Sequence, residues 1–230
     1  MNSPIQFGTS GWRGLIARDF TFENLRLAAQ GLALSLKAEL RRKKSAIHGK
    51  RPLVIIGHDT RFLGREFALA TAEVLQRAGL EPLLTNRDAP TPVIAFSIRH
   101  KKAIGGVNIT ASHNPFGYSG FKFSMPNGAG APPEFTGKIE AHAAKLLAKG
   151  WQPKTAVVGT FQCKEFDPAP AYLNRIRKLI DLKAIGKAKL RIAVELMHGT
   201  GRGYLDTLLE EAGARITRFH ENLNPLFGGG

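Results

Sequence analysis

Pro52-Leu-Val-Ile-Ile-Gly57 is an unbroken apolar run between amphipathic neighbours. A strand with one wet face alternates apolar and polar residues. A strand with no polar position is covered on both sides, as in a largely parallel sheet held between helices. The flanking segments supply those helices. From Thr21, a candidate cap, to about Lys44, the residues Phe22, Leu25, Leu27, Ala28, Leu32, Leu34 and Leu36 form a broad apolar face. Arg65 to Arg77 predicts a second helix, and Glu81 to Thr85 a returning strand. Thr91-Pro92 reads as an N-cap followed by proline at the first helical position, opening a short helix through Arg99. Ala103 to Ile109 and Gly120 to Ser124 predict two more strands, joined by a loop from Thr110 to Ser119, and Pro133 to Ala148 predicts a closing helix. The alternation predicts a three-layer α/β/α sandwich with a mixed, mostly parallel sheet.

From Gly150 to Pro170 the helical period is lost, and Pro153, Pro168 and Pro170 punctuate a boundary that has room for one short strand. Beyond it the pattern predicts a helix over 171–180, a strand over 190–196, a glycine-rich turn, a helix over 203–212 and a strand over 215–220. This gives two units divided within Gly150 to Pro170, the second an incomplete α/β unit. One strand-helix-strand cannot cover both faces of its own sheet. Either it packs on the first unit or the chain is a piece of a longer protein.

Composition narrows the class. The chain has 230 residues, 43% of them hydrophobic and 22% charged, which excludes wholesale disorder. A single cysteine, Cys163, excludes an intrachain disulfide and a multi-cysteine zinc site. No apolar run approaches membrane-spanning length and the first residues lack a secretory pattern, so the expectation is a cytoplasmic protein with no membrane partner. The net charge is +15, concentrated where Lys37 to Arg51 holds seven basic residues against Glu39 alone. Such a field attracts anions, large or small. Neither this stretch nor the basic one from Lys138 to Arg191 carries the aromatic interleaving of a single-strand platform, and no nucleic-acid motif appears, so no nucleic-acid partner is expected.

The chemistry concentrates in Thr110-Ala-Ser-His-Asn-Pro115, between two predicted strands. Pro115 biases Asn114 away from helix, so Ser112 and His113 lie at a sharp turn. A serine held on a rigid loop at a strand end suits a nucleophile or a phosphate carrier, and an ordinary Asn-Pro turn is the plain alternative. Lys122, Arg13 and Asp59-Thr-Arg61 also fall at strand or loop ends, where open α/β sheets bind ligands. Nothing around Ser112 resembles the Gly-x-Ser-x-Gly elbow of a serine hydrolase. Gly199-Thr-Gly-Arg-Gly203 does not fit the dinucleotide fingerprint and reads as a structural turn.

Phe7-Gly-Thr-Ser-Gly-Trp-Arg-Gly14, Gly57-His-Asp-Thr-Arg61, Thr91-Pro92, Gly106-Val-Asn-Ile-Thr-Ala-Ser-His-Asn-Pro115 and Gly120-Phe-Lys122, in this order and spacing, resemble the α-D-phosphohexomutases. Within them, the chain is most similar to bacterial phosphoglucomutase/phosphomannomutase. The resemblance implies a four-domain enzyme of which residues 1–166 are the first domain and residues 167–230 the start of the second. The C-terminal domains of the same protein would be missing partners. Ser112 matches the phosphate-bearing serine, His113 its neighbour, and Lys122 the lysine that assists proton transfer. Arg13, with Thr9 and Ser10, matches the loop that faces the phosphoserine. Arg61 and Asn114 are expected to bind substrate or phosphate. The implied reaction is reversible phosphoryl transfer on glucose or mannose phosphates through a hexose 1,6-bisphosphate. Its cofactor is Mg2+, held partly by the phosphate on Ser112. The family's Asp-Gly-Asp-x-Asp-Arg metal loop has no counterpart here, so the 230 residues alone are expected to be inactive. A non-catalytic module that holds sugar phosphates or a polyanion is the competing reading.

Overall fold

The computed structural model describes residues 5–8, 11–42, 51–153 and 161–229. Thr9 and Ser10 lie outside the described residues, as does the expected end of the first helix beyond Arg42.

The apolar run becomes β2 (Leu53–His58) and holds the centre of the main sheet. Its side chains divide as the two-sided reading requires: Val54 and Ile56 enter one core cluster, Ile55 the other. β3 (Glu81–Thr85) and β4 (Gly106–Ile109) flank it in parallel. β6 (Lys164–Phe166) adds to β3 in parallel, and β5 (Tyr118–Ser124) joins β4 antiparallel. At the edge lies β1 (Trp12–Leu15), antiparallel to β5 and unforeseen within the N-terminal glycine-rich segment. Among the described residues the order is β1-β5-β4-β2-β3-β6, a mixed and mostly parallel sheet.

α1 (Phe22–Arg42), α2 (Gly64–Arg77) and α4 (Pro133–Ala148) cover one face, burying Leu25, Leu32, Phe67 and Ile139 against Val54, Val107 and Phe121. Thr21 caps α1, accepting the Asn24 N–H at 3.2 Å through its hydroxyl. α3 (Thr91–His100) covers the opposite face. Thr91 is not its cap: Pro90 takes that position, and the Thr91 hydroxyl accepts from Asn108 Nδ2 at 3.1 Å. The threonine is drawn into the sheet's polar end instead of closing its own helix.

The second unit contains α5 (Ala169–Arg177), α6 (Leu182–Lys187), β7 (Arg191–Glu195), α7 (Leu205–Glu211) and β8 (Arg215–Phe219), with β7 and β8 parallel. α6 was not expected from its basic sequence; the Asp181 carboxylate starts it by accepting the Ala184 N–H. This unit packs on the first. Ala169, Leu173, Tyr204 and Leu208 join Ile55, Val93, Ile94 and Ile98 in the core over α3.

Sheet register places the polar groups. Trp12, Phe121, Val107 and Ile56 point to the helix-rich face. Their neighbours Arg13 and Lys122 therefore share the α3 face with Asn108, since Arg13 pairs with Gly120 and Lys122 with Asn108. The position between them must be glycine: a Cβ on Gly120 would lie 2.5 Å from the Thr110 carbonyl oxygen and 2.9 Å from that of Trp12. Gly120→Ala is expected to cost about 1–3 kcal/mol through forced backbone displacement, measured as a lowered urea midpoint.

Candidate active site

Three strand ends meet at the loop over 110–118. β2 leads into Asp59-Thr-Arg61, β4 leads into the loop, and β5 leaves it. The backbone ties them together, with Asp59 N–H donating to Ile109 O at 3.0 Å and Thr110 N–H to Gly120 O at 2.9 Å. At the crest Ser112 is exposed and has φ 60°, the left-handed region that a non-glycine residue enters at a cost of about 1–2 kcal/mol. Such a conformation persists only where its surroundings enforce it. The Thr110 hydroxyl accepts the Ser112 N–H at 3.0 Å, and Ala111 O accepts the Asn114 N–H at 3.2 Å.

Arg61 supplies the larger constraint. Its side chain is 2% exposed. Nη1 donates to the carbonyls of Pro115 (2.7 Å) and Tyr118 (3.1 Å), and Nη2 to those of Ser112 (3.0 Å) and Asn114 (2.6 Å). Nε donates to Asp59 Oδ2 at 3.1 Å, and Asp59 Oδ1 accepts the Arg61 backbone N–H at 3.0 Å. A guanidinium has five N–H donors. All five are used, so the phosphate contact expected of Arg61 has no donor left to make it. Its place is beneath the loop as a clamp. The Phe227 ring stacks over the guanidinium at 5.1 Å. Burial pushes the Asp59 carboxyl up, opposed by hydrogen bonds from the Thr110 side chain and the Arg61 backbone.

The cations meant to face Ser112 are gathered at the same end. Half-buried Arg13 donates from Nη1 to Asn114 Oδ1 at 2.7 Å, joining the N-terminal segment to the serine loop. Lys122 lies under that segment: a Cβ on Gly11, whose φ is +104°, would be 2.7 Å from Lys122 Cγ. Burial lowers the Lys122 pKa, the neighbouring Arg13 charge lowers it further, and Asp59 opposes both. His113 is exposed beside Ser112. Asn114 is directed at Arg13, with which it braces the loop. The structure thus brings Ser112, His113, Asn114, Arg13 and Lys122 to one end of the sheet and sets Arg61 below them. Asp59 and Thr110 are the working residues that motif reading passed over. Both stood inside quoted motifs, but only the fold shows their hydrogen bonds.

A metal at this loop would need further ligands. Among the described residues no group of three or more His, Cys, Asp or Glu side chains could hold an ion, and Asp59, at the same strand end, is committed to Arg61 and Thr110. The residues present do not make a Mg2+ site.

The sheet order and the serine loop together define an α/β/α domain of the phosphohexomutase class. The description of phosphoglucomutase/phosphomannomutase α/β/α domain I matches residues 4–149, and that of α/β/α domain II matches residues 170–230. The chain belongs to that family. It is 32% identical over 217 residues to a phosphoglucomutase/phosphomannomutase of Thermococcus kodakarensis, covering 91% of this chain and 43% of that protein. It is also 32% identical over 218 residues to a phosphoglucosamine mutase of Leifsonia xyli, covering 93% of this chain and 46% of the relative. The crystal structure of a Thermus thermophilus protein described as a phosphomannomutase matches with a TM-score of 0.83 at 35% identity, over 100% of this chain and 48% of that one. The chain therefore spans a little under half the length of these relatives.

Two measurements check the electrostatics. Arg61→Met leaves Asp59 and four carbonyls without their donor and is expected to lower stability by about 3–5 kcal/mol in urea denaturation. Lys122 has a native pKa below its unfolded one, so the unfolded state binds the extra proton between the two values. Its destabilising contribution is fully present below that window and fades as pH rises through it. Lys122→Met should show its largest stability advantage over wild type, or its smallest deficit, at neutral pH, with the difference shifting toward wild type as pH approaches the ordinary lysine range.

Proposed function

We propose that this chain is the phosphoserine-bearing part of a phosphoglucomutase/phosphomannomutase, with residues 1 to about 166 as its first domain and 167 onward beginning a second. The observation that carries the reading is Ser112: exposed, held in a strained conformation by a fully used arginine beneath it, with Arg13 bonded to Asn114 of the same loop and Lys122 on the strand beside Arg13. Strain maintained at a solvent-facing hydroxyl is what a phosphoryl carrier needs, because the oxygen must be presented to a substrate without the loop yielding.

In this reading Ser112 carries a phosphoryl group worth about −1.5 to −2 charges at neutral pH. A hexose monophosphate brings its own negative charge, and the +15 field of the chain favours its approach. The sugar hydroxyl attacks phosphorus, the bond from phosphorus to Ser112 Oγ breaks, and a hexose 1,6-bisphosphate forms. Lys122 takes the hydroxyl proton and returns it to the Ser112 oxygen, a task eased by its lowered pKa. Arg13 stabilises charge on the transferring group. Transfer of the other phosphate back to Ser112 completes the isomerisation. His113 and Asn114 shape the crest of the loop, and Thr9 and Ser10 belong to the segment leading into Arg13. Arg61 acts as a positioning residue. Mg2+, the cofactor expected for this reaction, supplies charge neutralisation when bound; its carboxylate ligands would come from another part of the longer protein. The substrates are glucose or mannose phosphates, and the site of action is the cytoplasm. No helix of the described residues is long and apolar enough to cross a membrane.

Incubation with a hexose 1,6-bisphosphate followed by intact-mass analysis tests the assignment. The wild-type chain should gain one phosphoryl group, Ser112→Ala none, and Lys122→Met should gain it at least tenfold more slowly. Equal labelling of Ser112→Ala would overturn the carrier role. The 230 residues alone should not convert glucose 1-phosphate; turnover at the rate of a complete mutase would refute the need for the missing domains.

A further inference from the structure

At the far end of the sheet from Ser112, α3, the turn after β5 and α5 border an open cleft of about 520 Å3. β5 begins at the serine loop and ends at this turn, and α3 runs from Thr91, bonded to Asn108, to His100 at the cleft. The two sites are therefore separated by the length of a strand. Phe96, Arg99, His100, Asn127, Gly128 and Arg175 line the cleft, and its lining contains no carboxylate. The rings of Phe96 and His100 lie stacked on one another, 5.2 Å apart and 14° from parallel, with His100 on the exposed side of the pair.

Basic residues in the last turn of a helix offset its macrodipole, which accounts for Arg99 and His100 on α3 and for Arg175 on α5 separately. It does not account for two helices from different units delivering them to one concavity. Among the described residues neither Arg99 nor Arg175 has an ion-pair partner, whereas the neighbouring Arg177 on α5 is paired with Glu211. The volume falls in the range of small-molecule sites, which form preferentially where two units meet.

We propose that this cleft is a second ligand site, distinct from the serine loop, for a small organic phosphate with a planar ring. The phosphates lie between Arg99 and Arg175, the ring extends the Phe96–His100 stack at the exposed His100 face, and the Asn127 amide supplies directional hydrogen bonding. The ligand class is that of nucleotides. Because the cleft bridges α3 and α5, occupancy also bears on how the two units sit together.

Titration calorimetry of the 230-residue chain with ADP and with inorganic pyrophosphate tests this. ADP is expected to bind one to one, and pyrophosphate at least threefold more weakly because it lacks the ring. Arg99→Ser combined with Arg175→Ser, both at exposed positions, should weaken ADP tenfold or more. Arg13→Ser should leave ADP affinity unchanged, which separates this site from the serine loop. Lys145→Ser with Lys149→Ser removes the same charge from the exposed end of α4 and should also leave it unchanged. No ADP binding at millimolar concentration, equal affinity for pyrophosphate, loss of ADP in Arg13→Ser, or an equal loss in the α4 variant would each overturn the proposal.

Discussion

The serine loop stands on a single buried guanidinium. Arg61 gathers four carbonyls from Ser112, Asn114, Pro115 and Tyr118 and pairs with Asp59, so one side chain fixes both the loop and the strand end that carries it. The planar fork matters: a lysine has the charge but only three donors on a mobile stem, and cannot hold four carbonyls in a fixed arrangement. With the backbone held from below, Ser112 can remain in a left-handed conformation that its own side chain disfavours. Without the clamp that strain would relax, and the hydroxyl would lose its fixed position.

Above the loop a different physics applies. Arg13 and Lys122 are like charges on one face of adjacent strands, and their repulsion adds to the desolvation that depresses the Lys122 pKa. In the proposed function, this arrangement, costly in the empty protein, becomes favourable when a phosphate arrives between the cations. Asp59, locked to Arg61 below the loop, opposes that shift in the Lys122 pKa without reversing it.

The second unit depends on the first for its core. Leu173, Tyr204 and Leu208 bury their side chains over α3, while Leu190, Leu205 and Phe219 stay exposed on its other surfaces. Tyr204 shows how deep that interface is: burial pushes its hydroxyl up to about 12. Arg87 and Arg202 stitch the junction, each reaching across it, to the Arg202 carbonyl and to the Asp88 carboxylate.

Local patterns settled much of this molecule in advance. The two-sided apolar run of β2, the helix periods and the Ser-His-Asn-Pro turn are properties of neighbouring residues, so they were legible as sequence. The edge strand β1 was not, because Trp12 to Leu15 becomes a strand only by pairing with β5. Thr91 could be read as a cap because nothing local announces Asn108. The part played by Arg61 was decided by tertiary structure alone. A guanidinium near a phosphate loop and one beneath it look identical in sequence. Only the folded backbone shows whether its five donors meet a ligand or the carbonyls of the loop itself.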